Sequence, residues 1–301
     1  MNFPSHLLGL RNLDSDQFKN IFSSTDLYLK FIKEKKSLKK DLTGKSVLNL
    51  FFENSTRTRI SFELAEKKVG LDSVNFNSDN SSISKGESLL DTIKNIEAMK
   101  FDFIVVRHNT PGIPLFLTKN TSAKILNAGD GINEHPTQGL LDIYTLQKVY
   151  GDLKGLNVCI VGNVSHSRVA LSNIFGLKTL GANVSVCGPK SFIPVNIEGL
   201  GVKVYFDIDK AVKENDILNI LRVQMERDAG SSLTSVKEFH KYFGITSERI
   251  KLNKKIKILH PGPMNINVEI DSDVAESENS LIFDQVTNGL AIKCALFNLM
   301  K

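Results

Sequence analysis

Residues 51–63 read FFENSTRTRISFE. An apolar run, VLNLFF (47–52), ends inside this stretch, and Ser55-Thr56-Arg57-Thr58-Arg59 opens a run of helical character that reaches Val69. The junction predicts a buried strand, a turn and a helix start. A helix start leaves backbone N–H groups without intrahelical partners and carries the positive end of the helix dipole. Hydroxyls of two kinds and a guanidinium placed there suit an anion, phosphate above all. A helix cap by Ser55 or Thr56 accounts for one hydroxyl and leaves the alternation of hydroxyls with arginines unexplained.

Working outward, strand-like segments alternate with helix-like ones. DFIVVR (102–107) and AKILNAG (123–129) read as buried strands, and PTQGLLDIYTLQKVYG as a helix with Pro136 in its first turn and Gly151 just past its end. The pattern then restarts. NVCIVGN (157–163) leads to a helix near Arg168–Leu180, followed by NVSVCGP (183–189), VKVYF, DILNILR and KIKILHPGP. Apolar, β-branched strands alternating with helices predict an α/β fold of two lobes. Each is expected to be a mainly parallel sheet with helices on both faces, with the substrate cleft between the lobes. We place the first domain at residues 1–148 and the second at 149–286, with a last helix, 287–301, returning to the first.

Composition agrees with this reading. A chain of 301 residues, 41% hydrophobic and 24% charged, is long for one core. No apolar run approaches the roughly 20 residues needed to span a bilayer. The opening MNFPSHLLGLRNLDSDQF lacks the basic-then-apolar layout of a secretory leader. The expectation is a cytoplasmic protein with no membrane partner. Cys159, Cys187 and Cys294 form no CxxC pair and read as small buried hydrophobes, with no disulfide frame or thiolate metal site suggested. Much of the net charge of +5 comes from the lysine-rich stretch Lys30 to Lys45, which reads as a solvated helix face. No aromatic-interleaved basic patch points to nucleic acid. Gly162-Asn163 follows a strand, but GNVSHSR lacks the later glycines of a dinucleotide fingerprint.

F-x-E-x-S-T-R-T-R resembles the signature of the transcarbamylase family, whose members transfer a carbamoyl group from carbamoyl phosphate. Further motifs follow in the family's order: SSISKGES (81–88), VVRH (105–108), HPTQ (135–138), SHSR (165–168), RVQMER (222–227) and HPGP (260–263). HPTQ, RVQxER and HPxP are of the aspartate type. The ornithine type would show HPCQ and a cysteine-containing HCLP segment, absent here. Aspartate carries two carboxylates and calls for two cationic anchors, for which Arg168 and Arg222 are available. Another amine acceptor, or an anion-binding relative without catalysis, are the competing readings.

The resemblance implies a role for each residue. Ser55, Thr56, Arg57 and Thr58 hold the phosphate, with Ser81 and Lys85 closing over it. Arg107, Thr58 and His135 donate to the carbonyl oxygen as it gains charge. Gln138 and the backbone around Pro261, Gly262 and Pro263 orient the carbamoyl NH₂. Arg168 and Arg222 hold the aspartate carboxylates, helped by Gln224 and Lys85. Carbamoyl phosphate is already activated, so no cofactor, metal or covalent intermediate is called for. The departing phosphate takes the amine proton, and no side-chain base is assigned. The family also implies a homotrimer in which Ser81 and Lys85 reach a neighbour's site, and a cis Gly262–Pro263 bond. It leaves room for a regulatory chain or another pyrimidine enzyme as partner. Ile266 and Lys293 stand where relatives often carry arginine, the first within an Asn-Arg-Gly run.

Overall fold

Residues 3–36, 38, 40–77, 88–223 and 235–301 are described by the structure, a computed structural model. In chain order the first elements are α1 (Ser15–Lys33), β1 (Ser46–Phe51), α2 (Thr56–Val69), β2 (Asp72–Asn77) and α3 (Leu89–Ala98). They are followed by β3 (Phe103–His108), α4 (Ile113–Thr118), β4 (Lys124–Asp130) and α5 (Pro136–Tyr150). The chain continues through β5 (Asn157–Val161), α6 (Arg168–Thr179), β6 (Asn183–Cys187), β7 (Lys203–Tyr205), α7 (Ile208–Glu214) and β8 (Ile217–Ile220). Last come α8 (Val236–Phe243), α9 (Ser247–Ile250), β9 (Lys257–Leu259), α10 (Ser272–Ala275) and α11 (Ile282–Leu299). The chain divides into one unit of Met1–Leu141 with Thr287–Lys301, and a second of Asp142–Val286. The divisions fall inside α5, earlier than residue 148, and inside α11.

In the first unit the strands form a parallel sheet in the order β2-β1-β3-β4. β1, β3 and β4 are buried almost without interruption rather than at alternate residues, because helices cover both faces. On one face Leu48, Leu50, Ile104, Val106 and Ile125 pack with Ile93, Ile96 and Leu117. Elsewhere in this unit Phe297 of α11 meets Phe62 and Phe103 edge-on, with centroids 6.2 and 5.5 Å apart. These T-shaped pairs tie the returning helix to α2 and β3. α1 is closed by a capping box, in which Asp14 accepts from Gln17 N–H at 2.8 Å and Gln17 reciprocates at 3.0 Å. Of the lysine-rich stretch Lys30, Lys33, Lys35, Lys36 and Lys40 are exposed, but only Lys30 and Lys33 lie on a helix, and Lys45 is half-buried.

In the second unit the parallel order is β7-β6-β5-β8-β9. Cys159, Val161, Leu218, Ile220 and Ile258 face Ile208, Ala211 and Val212 of α7. All three cysteines are free thiols and buried. No helix among the described residues is long and apolar enough to cross a membrane.

Strand order matters for function. In the first sheet the chain goes from β1 to one side for β2 and to the other for β3 and β4. In the second it goes from β5 to one side for β6 and β7, and to the other for β8 and β9. Each sheet therefore has a switch point, between β1 and β3 and between β5 and β8. At such points the loops leaving the carboxyl ends diverge and open a crevice for ligands.

Candidate active site

In the first unit the predicted residues gather on the carboxyl edge around the β1/β3 switch point. Ser55 is the N-cap residue of α2, yet its side chain makes no capping bond. The simple cap reading of this hydroxyl therefore does not hold. Arg59 N–H bonds back to Ser55 O at 3.1 Å as the first turn of the helix closes. Thr56 and Arg57 are exposed there and Thr58 is half-buried. Arg59 pairs with Glu63 one turn on, at 3.7 Å, as a surface pair.

Arg107 sits opposite Phe51 in the β1–β3 ladder, and its carbonyl accepts Phe52 N–H at 2.9 Å. Its guanidinium donates from Nε to Glu53 at 3.1 Å and from a terminal nitrogen to Ala128 O at 3.2 Å. Glu53, given no role from sequence, is thus what orients Arg107. Next along, His108 packs its ring on Phe52 at 4.7 Å, and burial lowers its pKa against the pull of Glu53 and Asp130.

His135 is buried at the start of α5, where its carbonyl accepts Gln138 N–H at 3.0 Å. The turn before it is held by Asn127, which donates to Glu134 O at 3.3 Å and accepts Gly129 N–H at 2.7 Å. Gly131 has φ 53°, and a Cβ there would lie 2.6 Å from Pro111, so only glycine fits. Ser81 and Lys85 lie outside the described residues, as does Gln224.

The second unit repeats the arrangement around its β5/β8 switch point. Arg168 is the first residue of α6 and is buried, with Ser167 accepting from Ala170 N–H at 3.2 Å as the cap. Arg222 follows β8 and is half-buried. Gly162, at φ 124°, lets the β5 turn approach Leu221, which a Cβ would meet at 3.2 Å. That close approach, not a dinucleotide loop, explains the glycine. Pro261, Gly262 and Pro263 follow β9, and the Gly262–Pro263 bond is cis.

Buried side chains tie these three places together. Asp142 accepts from Asn173 of α6 at 2.8 Å, from Asn219 of β8 at 3.3 Å and from Gln285 at 2.6 Å. Gln285 in turn accepts His260 N–H at 2.9 Å, at the head of the HPGP turn. Sequence reasoning assigned nothing to Asp142, Gln285 or His260; only the fold brings them together.

The departures are placed too. Ile266 is exposed, and Asn267 takes φ 62°. Asn is among the few residues that tolerate this left-handed value. Lys293 is buried, donates to Gly289 O at 3.1 Å and lies 5.2 Å from the Phe62 ring. Burial pulls its pKa down to about 8. Among the described residues no three His, Cys, Asp or Glu side chains converge as a metal site would.

A helix start bearing Ser55 to Thr58, an arginine oriented by Glu53 and a buried histidine on one sheet edge, with two arginines on another, are groups suited to a group-transfer enzyme acting on anions. The chain belongs to the aspartate/ornithine carbamoyltransferase family. Its residues 5–148 match the family's carbamoyl-P binding domain and 154–300 its Asp/Orn binding domain. It is 50% identical over 297 residues to the aspartate carbamoyltransferase catalytic subunit of Gemmatimonas aurantiaca, covering 98% of this chain and 92% of that one. The corresponding subunit of Christiangramia forsetii is 49% identical over 296 residues, covering 98% and 96%. Among solved structures, the catalytic subunit of M. jannaschii aspartate transcarbamoylase superposes with a TM-score of 0.85 at 31% identity, covering 98% and 97%. Aspartate transcarbamoylase from Trypanosoma cruzi, in complex with N-(phosphonacetyl)-L-aspartic acid, gives 0.87 at 27% identity, covering 97% and 94%.

Proposed function

We propose that this protein is an aspartate carbamoyltransferase, transferring the carbamoyl group of carbamoyl phosphate to the amino group of L-aspartate in pyrimidine synthesis. The products are N-carbamoyl-L-aspartate and phosphate. The observation that carries the reading is the placement of cations and helix starts at both switch points. Ser55 to Thr58 and Arg107 flank one, and Arg168 and Arg222 flank the other.

In this reading Ser55, Thr56, Arg57 and Thr58 hold the phosphate, and Gln138 with the Pro261–Pro263 backbone orients the carbamoyl NH₂. The amine, neutral when it reacts, attacks the carbonyl carbon. Thr58, Arg107 and His135 stabilise the oxyanion that develops, as preorganised donors do. The carbon–oxygen bond to phosphate then breaks, and the leaving phosphate takes the amine proton. Arg168 and Arg222 hold the two carboxylates of aspartate, since a guanidinium fork matches a carboxylate. Holding both anions in place supplies the effective concentration that the reaction lacks in water. Ser81, Lys85 and Gln224 join the set by resemblance.

A homotrimer with shared sites belongs to the same reading. Ile60 and Leu64, one turn apart on α2, and Val74 on the edge strand β2 are exposed apolar residues, which suit contact with another copy. Cytoplasmic residence belongs to it as well, and the buried free thiols suit a reducing compartment. The test is a molecule joining a phosphonate to aspartate. It should bind far more tightly than either phosphonate or aspartate alone, because one linker supplies both ends. Binding no tighter than that of its separate halves would refute the reading.

A further inference from the structure

Glu269 is a carboxylate buried to 1% exposure, and three backbone or ring N–H groups converge on it. Its Oε1 accepts Asn265 N–H at 2.6 Å and faces His260 Nε2 at 3.2 Å. Its Oε2 accepts Val223 N–H at 3.4 Å. The tautomer of His260 follows from geometry. Nδ1 accepts Gly262 N–H at 2.7 Å and so carries no hydrogen in the neutral ring. The hydrogen is then on Nε2, which donates to Glu269.

The Asn265 side chain completes the knot by donating to Val223 O at 2.8 Å. Val223, the neighbour of Arg222, is therefore fixed through both its N–H and its carbonyl by the segment that follows β9. The same carboxylate, through His260, fixes Gly262. An arginine after one strand and a backbone turn after the next are held as a single piece. No apolar residue of similar size could do this, since each N–H would be left buried without an acceptor.

We propose that Glu269 is a positioning residue for the acceptor amine, holding Arg222 and the Pro261–Pro263 backbone in one fixed relation. The proposal rests on the reading of Arg222 as an aspartate ligand. Supporting groups of this kind act through orientation, and small misplacements of a binding group are costly in rate.

The test compares wild-type enzyme with Glu269→Gln and Asn265→Ala, using steady-state kinetics and calorimetric binding of carbamoyl phosphate without aspartate. Gln keeps the size of Glu, but its amide presents a donor to one of the N–H groups the carboxylate accepts. The expected result for Glu269→Gln is a rise in aspartate KM of roughly tenfold or more with a fall in kcat. Carbamoyl phosphate binding weakens by much less than the aspartate KM rises, since the phosphate contacts are untouched and only the backbone contact to the carbamoyl NH₂ is loosened. Asn265→Ala, which leaves the carboxylate paired, shifts aspartate KM the same way by less. If Glu269→Gln does not fold, Asn265→Ala decides by the same readings. Unchanged aspartate KM in the folded variants would overturn the proposal, as would equal loss for both substrates, which marks a merely structural role. A wild-type enzyme that carbamoylates no aspartate would defeat the functional reading first, and the proposal with it.

Discussion

The carboxylate of Glu53 lies 3.1 Å from Nε of Arg107, and both side chains are largely shielded from solvent. Phe51, just ahead of Glu53, is the ladder partner of Arg107, so strand register itself brings the two together. The pair fixes a guanidinium at the carboxyl edge of the sheet, where the proposed reaction would develop its oxyanion. Glu53→Gln keeps the shape and removes the charge that orients Arg107. We expect turnover to fall roughly tenfold or more, as when one partner of a shielded pair is removed. Wild-type rates for a folded Glu53→Gln enzyme would show that the pair has no part in the reaction.

Arg57 and Arg222 should fail differently. On the proposed reading, Arg57→Ala removes a charge-assisted contact to phosphate worth on the order of 1.5–3 kcal/mol. Activity should nearly vanish with the fold intact. Arg222→Ala should chiefly raise aspartate KM while carbamoyl phosphate still binds. Circular dichroism with substrate-by-substrate kinetics separates the cases. Near-normal turnover by Arg57→Ala at saturating carbamoyl phosphate, or equal damage to both substrates by Arg222→Ala, would overturn the respective assignment.

Much of this was legible before the fold was known, for a physical reason. β1, β3, β4, β5 and β8 are covered on both faces and so appear as apolar runs. β2, DSVNFN, is an edge strand with mostly exposed side chains and carries no such run, so it passed unread. The last helix starts at Ile282 rather than 287. Ser55 to Thr58, proposed for the phosphate, lie in one contiguous motif at a strand-to-helix junction that a local pattern spells out. Glu53 stands inside that motif, but its role depends on a ladder that no local pattern spells out. His260 and Glu269 likewise meet only through the turn after β9.

Glu66 gives a stability prediction. It is buried on α2, where Oε2 accepts from Asn49 at 2.9 Å and from Ser73 at 2.7 Å. Its Oε1 and the Asn49 Oδ1 have no hydrogen-bond partner among the described residues. Burial raises its pKa from 4.5 to about 7, against the pull of those hydrogen bonds. Between these values the folded chain holds a proton that the unfolded chain releases. Stability from this group is therefore lost as pH rises through that window, and the penalty is complete above it. Glu66→Gln removes the titration and offers a donor to Asn49. At pH 8 the variant should be more stable by on the order of 3 kcal/mol, and the gain should shrink toward pH 4.5. Thermal melts across this range check it, and identical pH profiles would contradict it.

Shared sites can be tested by complementation. Lys85→Ala and His135→Ala enzymes should each be nearly inactive. Dissociated, mixed and reassembled, they should form trimers in which some interfaces combine an intact Lys85 from one chain with an intact His135 from the next. Activity should return to a minority fraction of wild type. Continued inactivity after proven subunit exchange would mean that Lys85 serves its own chain or no site at all.

The central claim is that two anions are joined here and that the acceptor is aspartate. The most direct measurement supplies carbamoyl phosphate labelled at the carbonyl carbon, with aspartate, ornithine and other amines in separate reactions, and identifies the labelled product. The account predicts labelled N-carbamoyl-L-aspartate with one phosphate released per product, and no comparable product from ornithine. Preferential labelling of ornithine or another amine, or phosphate release with no labelled aspartate, would contradict it.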